Sequence, residues 1–486
     1  MGSNGEPVPS FNVLADTKPE DTTLPPFMAS TSRGFLPRAD PVVDLPEEFA
    51  ALSSILDRMP MVTLSGEPGL LAKGALGDTV AAELTDLSAA VEKYADNLCI
   101  QTALYRDYSF IASAYLLEPC HMAYMAKSPY GLGRQTLPRS IAMPLSVCAR
   151  LAGFQPFMEY AGSYALYNYK LDNPDAGMKY GNLRLIRAFE KGLDPKSSEA
   201  GFVLTHVEMV KNSGPLVEGC VRALDGCGRD DRHEMDDGLD QAFEAIKKVN
   251  QVMERMWANS KPGDYIDFRT FIMGITSQSM FPNGVMYEGV SDTPLSFRGE
   301  SGANDSMIPL LDNLLTISMP STPLTTILKD FRSYRPGNHR DFLSHIANLS
   351  LSVSFKTYAL SESSSALRYL RLLDQVRDFR YRHWCFTREY ILKKTAHPTA
   401  TGGSPIVTWL PNQLVAVLDA MTEAGEGKAL KSVAAGSKTG EEVKEMLDTA
   451  EKQRDGLKKE VEKWCSDRGV PPPQGITDTL QAVAAH

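Results

Sequence analysis

His383 is the residue of this chain whose type and position could most readily do chemistry. It lies in the run Leu367–Ile391, where apolar residues recur at three- and four-residue steps, the spacing of one face of an α-helix. The imidazole therefore points toward a core, where a histidine more often packs than binds a metal or haem. Both interpretations are open on this pattern alone. The other members of the stripe are Leu372, Val376, Phe379, Thr387 and Tyr390.

The common catalytic signatures are missing from the rest of the sequence. It has no P-loop, no glycine-rich dinucleotide fingerprint, no Gly-x-Ser-x-Gly elbow, no His-Glu-x-x-His zinc motif and no protein-kinase set. His206 and Glu208 are two residues apart, which places them on different sides of a helix, so they do not form a chelating pair. The sequence does not argue for a zinc or non-haem iron site.

The composition indicates a soluble globular protein with a large core. The chain has 486 residues, 43% of them hydrophobic, and a net charge of -10. Because no basic face stands out to neutralise phosphates, we expect no nucleic-acid partner. Seven cysteines without paired spacing favour free thiols in a reducing compartment. With no signal-peptide pattern and no apolar run of membrane-spanning length, we expect a cytoplasmic protein without a membrane partner.

Helical signals dominate from Leu45 onward and alternating strand patterns are scarce, so the predicted fold class is all-α. Asp78 and Thr79 are typical of a helix N-terminus before the segment 80–94. Further helices are predicted around 109–122, 141–152, 201–212, 239–257, 266–276, 305–317, 339–350, 364–392 and 408–422.

We expect four segments along the chain. Prolines deny regular structure to most of 1–45, which is predicted to be an irregular arm or a disordered tail. A small helical domain is predicted over 46–195 and a large helical domain over 196–430. Residues 431–486 should add a helix whose apolar stripe either packs on the domain or forms an oligomer contact. The oligomeric state is open, with a monomer favoured.

An ordered set of segments between roughly residues 135 and 415 resembles the indoleamine 2,3-dioxygenase family of haem enzymes. The resemblance implies a two-domain helical fold, with a small N-terminal and a large C-terminal domain enclosing haem b. The segments that carry it are Asn283–Gly289, the loop around Ser301, Asp330–Leu343, the His383 helix and Thr401–Gly403.

The resemblance implies which residues hold the haem. The family has a histidine eight residues before an isoleucine, with a threonine between them, and His383, Thr387 and Ile391 match that pattern. His383 is thereby implied as the axial ligand of the haem iron. Arg380 corresponds to an arginine near a haem propionate, and it lies about one helical turn before the ligand.

The resemblance also implies a substrate pocket. Arg269 matches an arginine that holds the substrate carboxylate, for which a bidentate guanidinium is suited. Tyr160 and Ser163 correspond to the wall of the indole pocket, and Phe202 corresponds to an aromatic residue against the indole ring. Two loops are implied to border and close over the substrate, one with Ser301, Gly302 and Ala303, the other with Thr401, Gly402 and Gly403.

Two positions depart from the family pattern. Counted from Gly201, His206 falls where animal members place a serine above the iron, but counted from Glu208 it is two residues off. A distal histidine that bonds the indole nitrogen, as in the related tryptophan 2,3-dioxygenases, and a helix histidine facing elsewhere both stay open. Asp264 and Tyr265 replace two phenylalanines. Because a buried carboxylate is costly, either Asp264 faces solvent or the substrate has a cation to meet it.

The function that the resemblance implies is a haem-dependent dioxygenase. It would insert both atoms of O2 across the C2=C3 bond of tryptophan or a related indoleamine, giving an N-formylkynurenine-type product, as in tryptophan catabolism by the kynurenine pathway. Two alternatives stay open. One is a haem-dependent aromatic monooxygenase or hydroxylase on the same scaffold, and the other is a catalytically silent haem-binding or helical interaction protein.

Overall fold

The structure is a computed structural model that describes residues 10–192, 194–319 and 323–472. Helices form most of the regular structure, which confirms the predicted all-α class. The α-helices are α1 Ala50–Arg58, α2 Leu70–Lys73, α3 Leu76–Glu83, α4 Ser88–Glu92, α5 Leu98–Met125, α6 Arg139–Ala152, α7 Ser198–Val210, α8 Ser213–Gly228, α9 Arg232–Glu254, α10 Met256–Asn259, α11 Pro262–Arg269, α12 Met307–Leu314, α13 Pro323–Arg332, α14 Gly337–Ser352, α15 Phe355–Ala359, α16 Ser363–Phe386, α17 Ile406–Glu426, α18 Lys428–Lys431 and α19 Lys438–Arg468.

Four short strands form two small sheets. Strands β1, Thr136–Leu137, and β4, Met286–Tyr287, pair in parallel with Thr136 opposite Met286. Strands β2, Tyr169–Leu171, and β3, Leu183–Leu185, form an antiparallel pair. Short 3-10 turns lie at Glu47–Phe49, Pro174–Ala176, Tyr180–Asn182, Thr270–Ile272 and Gly302–Asn304.

Two segments are π-helical, a conformation that often occurs at functional sites. One is Tyr160–Tyr164 and the other is Thr387–Leu392, which continues α16 without a break. Each begins at or just after a residue to which the family resemblance assigns a role, Tyr160 in the first case and His383 in the second. The two irregular turns therefore mark the region where a site is expected.

Helix α5 is the central element of the N-terminal half. Of its 28 residues 20 are buried, as expected of a helix that is enclosed over most of its length. Within it, the Arg106 Nε donates to Asp107 at 2.8 Å, and Arg187 binds the same carboxylate at 2.8 Å. Burial by itself would raise the pKa of Asp107, but the two guanidinium groups hold it below its ordinary value. A buried charge is thus kept paired inside the core.

The C-terminal half is a set of packed helices that frame a cavity. Helices α8 and α9 form an antiparallel pair, and α9, α16, α17 and α19 pack in succession. The α8–α9 approach is so close that a Cβ on Gly219 would lie 2.7 Å from the backbone nitrogen of Ala242. A glycine is therefore required at that crossing. Among the described helices, none has the length and apolar run needed to cross a membrane.

Helix α19 lies against the domain, which is the first of the two interpretations predicted for the tail. The Glu442 carboxylate binds Arg371 at 2.6 Å, and the Glu460 carboxylate accepts from the Trp384 indole nitrogen at 2.6 Å. Its apolar stripe is buried, including Leu457 and Val461. The helix thus holds α16 from the outer side. The boundaries 195/196 and 430/431 between the predicted domains stay a prediction.

The predicted N-terminus of the first strong helix was wrong. Helix α3 begins at Leu76, so Asp78 and Thr79 lie in its first turn, and the segment 84–87 separates it from α4. A residue of another helix accepts from the backbone at this N-terminus. The Glu118 carboxylate, on α5, accepts the backbone N–H of Leu76 at 2.7 Å. A cap supplied by another helix leaves no local signal in the sequence.

The N-terminal arm is irregular, as predicted, but it is packed. Phe27, Phe35 and Leu36 are buried in the same core as the helices, so residues 10–45 do not form a disordered tail. Arg38, only 2% exposed, holds the arm in its folded course. Its guanidinium donates to five backbone carbonyl oxygens, those of Thr17, Lys18, Asp21, Leu24 and Pro25.

Replacing Arg38 by alanine is expected to release the arm. Five buried carbonyl groups would lose their donor, which should cost about 3 kcal/mol of stability. Hydrogen–deuterium exchange would then show lost protection over residues 10–45. Arg58→Ala is the matched control, because Arg58 forms a largely exposed pair with Glu83 that should contribute less than about 1 kcal/mol. Equal protection in both variants would contradict this role for Arg38.

Candidate active site

A pocket of about 1140 Å³, counting the part open to solvent, lies between the helices of the C-terminal half. Ligand pockets in proteins are typically about 300–1,000 Å³, so this one has room for a ligand larger than an amino acid. Helices α7, α9, α11, α16 and α17, the two π-helical segments and the loops 300–305 and 400–405 all contribute to its wall. Much of that wall is soft and apolar, with Met209, Met253, Met256, Phe379 and Phe386.

His383 lies on this wall, near the end of α16. Its side chain makes no hydrogen bond or ion pair with the residues that the structure describes. Burial, and to a smaller degree the nearby His206, lowers the pKa of His383 to about 4. The imidazole is therefore neutral at pH 7 and its lone pair is available to a metal. The stripe predicted from the sequence runs from the buried Leu372 and Val376 into this pocket.

His206 also lines the pocket, on α7. Its Nδ1 lies 2.8 Å from the Phe202 carbonyl oxygen, which can only accept, so Nδ1 carries the proton and Nε2 is left as an acceptor. Burial lowers the pKa of His206, which keeps the ring neutral. His206 contributes to the lowered pKa of His383, and both rings line the pocket, so the two histidines face a common space. His206 therefore lies in the pocket wall, and its role as a distal residue that bonds the indole nitrogen stays a prediction.

Three aromatic residues stand around His206 and line the same part of the pocket. The Phe202 ring lies 4.7 Å from the imidazole, between centroids, and 5.4 Å from the Tyr265 ring. The Tyr160 ring approaches His206 from another side at 6.0 Å. Such edge-to-face groups suit a flat aromatic ligand. Tyr160 and Phe202 thus lie in the pocket wall, and the substrate contacts that the family resemblance implies for them stay predictions.

Two loops complete the wall, and a hydrogen bond joins them. The Thr401 hydroxyl donates to the Glu300 carbonyl oxygen at 2.7 Å, and Thr401 and Gly302 both line the pocket. Gly402 lies behind the wall, where a Cβ would come within 2.5 Å of the Phe331 ring, so no larger residue fits there. Arg335 supports the first loop by donating to the Ala303 carbonyl oxygen at 2.8 Å.

Ser163 and Arg269 are not part of the pocket wall. The Ser163 hydroxyl donates to the Glu159 carbonyl oxygen at 2.7 Å, inside the π-helical turn. Arg269 is fully buried, and its Nη2 donates to the Thr399 carbonyl oxygen at 2.8 Å. Its Nε and Nη1 have no partner among the described residues, and the guanidinium lies near Tyr265, which does line the pocket. The assigned roles of both residues stay predictions.

Arg380 likewise lies behind the wall, three residues before His383. Its Nη2 donates to the Asp312 carboxylate at 2.7 Å, while Nε and Nη1 have no partner in the described part of the chain. A buried guanidinium with two free donors can accept an anionic group. Together, a free imidazole, a large apolar pocket and this guanidinium fit haem, whose iron needs a single axial side chain and whose propionates are anionic.

Asp264 points away from the pocket. Its carboxylate accepts from the Ser198 hydroxyl at 2.7 Å, in the first turn of α11, where an acidic group is favourable. Tyr265, the next residue, takes the place at the wall. The free-energy cost of burying a carboxylate in an apolar haem pocket therefore does not arise for Asp264.

Glu300 is a wall residue that our sequence reasoning missed. It is 4% exposed, and burial, followed by the nearby Glu159, raises the pKa of Glu300 to about 8. The sequence offered only its place in a glycine- and serine-rich loop, since nothing marks which way a loop side chain points.

Groups of three or more His, Cys, Asp or Glu residues that could hold a metal ion do not occur in the described ranges.

Fold and pocket together define the class of protein: an all-α protein with a large, mostly apolar pocket that is partly open to solvent and has the imidazoles of His206 and His383 in its wall. The family model described as Indoleamine 2,3-dioxygenase matches residues 23–447, most of the chain. The chain therefore belongs to the indoleamine 2,3-dioxygenase family.

Individual relatives are distant. Indoleamine 2,3-dioxygenase 1 of Mus musculus is 28% identical over 213 residues, 43% of this chain and 51% of that protein. Indoleamine 2,3-dioxygenase 2 of Homo sapiens is 26% identical over 309 residues, 63% of this chain and 72% of the relative. A protein named myoglobin from Haliotis madaka is 28% identical over 229 residues, 46% of this chain and 57% of its own length. The chain thus spans about half the length of the mouse relative that it matches.

Proposed function

We propose that this protein is a haem-dependent dioxygenase that cleaves the C2=C3 bond of an indole bearing an alkyl side chain, tryptophan or a related indoleamine. The observation that carries the proposal is the unpartnered, neutral imidazole of His383 on the wall of a pocket that His206 and several aromatic rings also line. The family and the relative named myoglobin both support haem binding.

His383 would hold the iron, and Arg380 would meet a propionate. When bound, haem supplies the activation of O2, and the protein supplies orientation and a dry pocket. Phe202, Tyr160 and Tyr265 would stack against the indole ring and exclude water from it. His206 would accept the indole N–H at Nε2, because its Nδ1 proton is already given to a backbone carbonyl.

Arg269 stays the candidate for the carboxylate of an amino-acid substrate. Its two partnerless nitrogens are costly to leave buried, and a carboxylate would satisfy them. Because the guanidinium lies behind Tyr265 and the Thr399 carbonyl, this contact requires the loop 399–404 to give way. A substrate without a carboxylate needs no such adjustment.

Labelled oxygen tests the reaction. We expect the haem-reconstituted full chain, reduced and supplied with ¹⁸O₂ and an indole substrate, to give a product that carries two labelled atoms, since both oxygens enter and the C2=C3 bond becomes two carbonyl groups. One labelled atom would replace this proposal by the monooxygenase alternative. The pyridine haemochrome spectrum of the same sample identifies the haem type, expected to be haem b.

A second candidate is a haem protein that binds O2 without oxidising a substrate. The relative named myoglobin favours this candidate, since a protein of that name is similar in sequence to this chain. In that case the ferrous protein would form a stable oxygen complex whose lifetime does not change when indoles are added. Rapid loss of the oxygen complex on adding an indole would instead support the dioxygenase.

A further inference from the structure

None of the roles proposed for the pocket residues involves the carboxyl group of Glu300. It lies in the loop between α11 and α12 and lines the pocket, yet it makes no hydrogen bond or ion pair with any residue that the structure describes. Only its backbone is engaged, through the carbonyl that accepts from Thr401. Buried carboxylates are normally paired, because leaving one unpaired costs several kcal/mol. In the empty pocket the group avoids this cost by keeping its proton, because its pKa is raised to about 8, and it can ionise at pH 7 when a partner enters the pocket.

The surroundings of Glu300 identify the charge of that partner. Its neighbours are acids or neutral groups, and the nearest cation along the chain, Arg298, is already bound to Asp330 and to the Gly402 carbonyl oxygen. Arg269 and Arg380, which keep partnerless nitrogens, do not line the pocket and are not among the groups that shift the pKa of Glu300. The titratable groups that face this end of the pocket are Glu159, Tyr160, Tyr164, Tyr265, Asp305 and His206.

We infer that Glu300 binds the ammonium group of the substrate, so that binding to this protein depends on the amine and not on a carboxylate. The inference rests on the proposed function, which supplies the indole ring. The geometry favours the amine over the carboxylate because the acid is at the wall, whereas the guanidinium of Arg269 lies behind it. Glu300 is then a residue that determines specificity, through an ion pair in a mostly apolar pocket.

The pH dependence of binding follows from the same contact. In the empty pocket the pKa of Glu300 is about 8, because burial and Glu159 disfavour its charged form. A cation binds only the ionised carboxylate, so its affinity should fall about tenfold for each pH unit below that pKa. An alkylammonium stays charged up to about pH 10, and the lowered pKa of His206 keeps that ring neutral over the same range.

Three ligands and four proteins test the inference. Tryptamine carries the amine alone, indole-3-propionate carries the carboxylate alone, and 3-methylindole carries neither. Binding to the haem-loaded full chain is measured by calorimetry and by the shift of the Soret band. We expect wild type at pH 8 to bind tryptamine at least about tenfold more tightly than indole-3-propionate. Glu300→Gln should lose about tenfold for tryptamine and less than about twofold for 3-methylindole.

Two further variants separate charge from shape. Glu300→Asp keeps the charge on a shorter side chain and should restore part of the affinity. Glu288→Gln removes an exposed acid at the end of β4, outside the pocket wall, and should bind like wild type. Between pH 8.5 and 6.5, wild type should lose more than about tenfold in tryptamine affinity, whereas Glu300→Gln should lose less than about twofold.

Three results would overturn the inference: unchanged tryptamine affinity in Glu300→Gln, the same pH dependence in both proteins, or binding of indole-3-propionate as tight as that of tryptamine at pH 8. The last would mean that Glu300 does not select the ammonium group. Calorimetry reports binding without turnover. Amine binding through Glu300 without oxygenated product would therefore refute only the proposed function, and labelled product with no effect of Glu300→Gln would refute only this inference.

Discussion

His383→Ala is expected to abolish haem binding. The substitution removes the imidazole that lines the pocket without a protein partner, and the described residues offer only one other histidine in the wall, His206. Loss of a group that merely orients a metal ligand costs about 10–100-fold in affinity, so loss of the ligand itself should exceed about 100-fold. After reconstitution and gel filtration, the ratio of Soret to protein absorbance should fall to background, and oxygenase activity with it.

Two controls separate iron ligation from folding. His233→Ala removes an exposed histidine of α9 and should retain full haem. His383→Gly leaves a hole of imidazole size, so adding free imidazole should restore a Soret band if the iron was ligated there. Circular dichroism should be the same for all variants. Full haem retention with an unchanged spectrum in His383→Ala would show that another residue holds the iron.

The sequence predicted the position of His383 better than the positions of the loop and turn residues, for a physical reason. His383 lies within a long helix, where the 3.6-residue period fixes the direction of each side chain relative to its neighbours. Leu372 and Val376 are buried as that period requires, and the stripe continues into the pocket. Direction within a helix can be read from spacing, so the placement of His383 at the pocket wall agrees with the sequence interpretation.

Loop and turn residues carry no such period. Glu300 and Asp264 are both acids near the pocket, and spacing could not distinguish the one at the wall from the one that binds the Ser198 hydroxyl in the first turn of α11. Ser163 was placed by resemblance, but the π-helical turn directs its hydroxyl to the Glu159 backbone. Which acid is buried without a partner depends on contacts between segments far apart in the chain, and these appear only in the folded structure.

The same distinction applies to the fold. The all-α class and most of the helices followed from apolar periodicity, because a buried face must repeat with the helix. Helix ends were less predictable where a distant residue satisfies them, as Glu118 does for α3. Composition alone could not predict that the arm is ordered. Its prolines exclude helices, but its folded course depends on Arg38, whose guanidinium donates to carbonyl oxygens of residues 17–25. Hydrogen bonds of one side chain to scattered backbone groups have no sequence signature.

His206→Ala is expected to lower kcat/KM for an indole substrate by about 30-fold. In the wild type, Nε2 of His206 is free to accept the indole N–H, because Nδ1 donates to the Phe202 carbonyl oxygen. Without it the N–H is buried unsatisfied, at a cost of about 2 kcal/mol, which corresponds to about 30-fold. Haem content should stay at the wild-type level, since His383 is untouched.

A substrate without the N–H makes this prediction specific. The 1-methyl derivative cannot donate to His206, so His206→Ala should change its kcat/KM by less than about threefold. Met209→Ala, which removes an apolar wall residue one turn along α7, should affect both substrates alike. Because burial lowers the pKa of His206, Nε2 keeps its lone pair at and above neutral pH. The loss of kcat/KM in His206→Ala should therefore be constant over that pH range. It should vanish only in acid, where the wild-type ring is protonated. An equal loss for both substrates would reduce His206 to a packing residue.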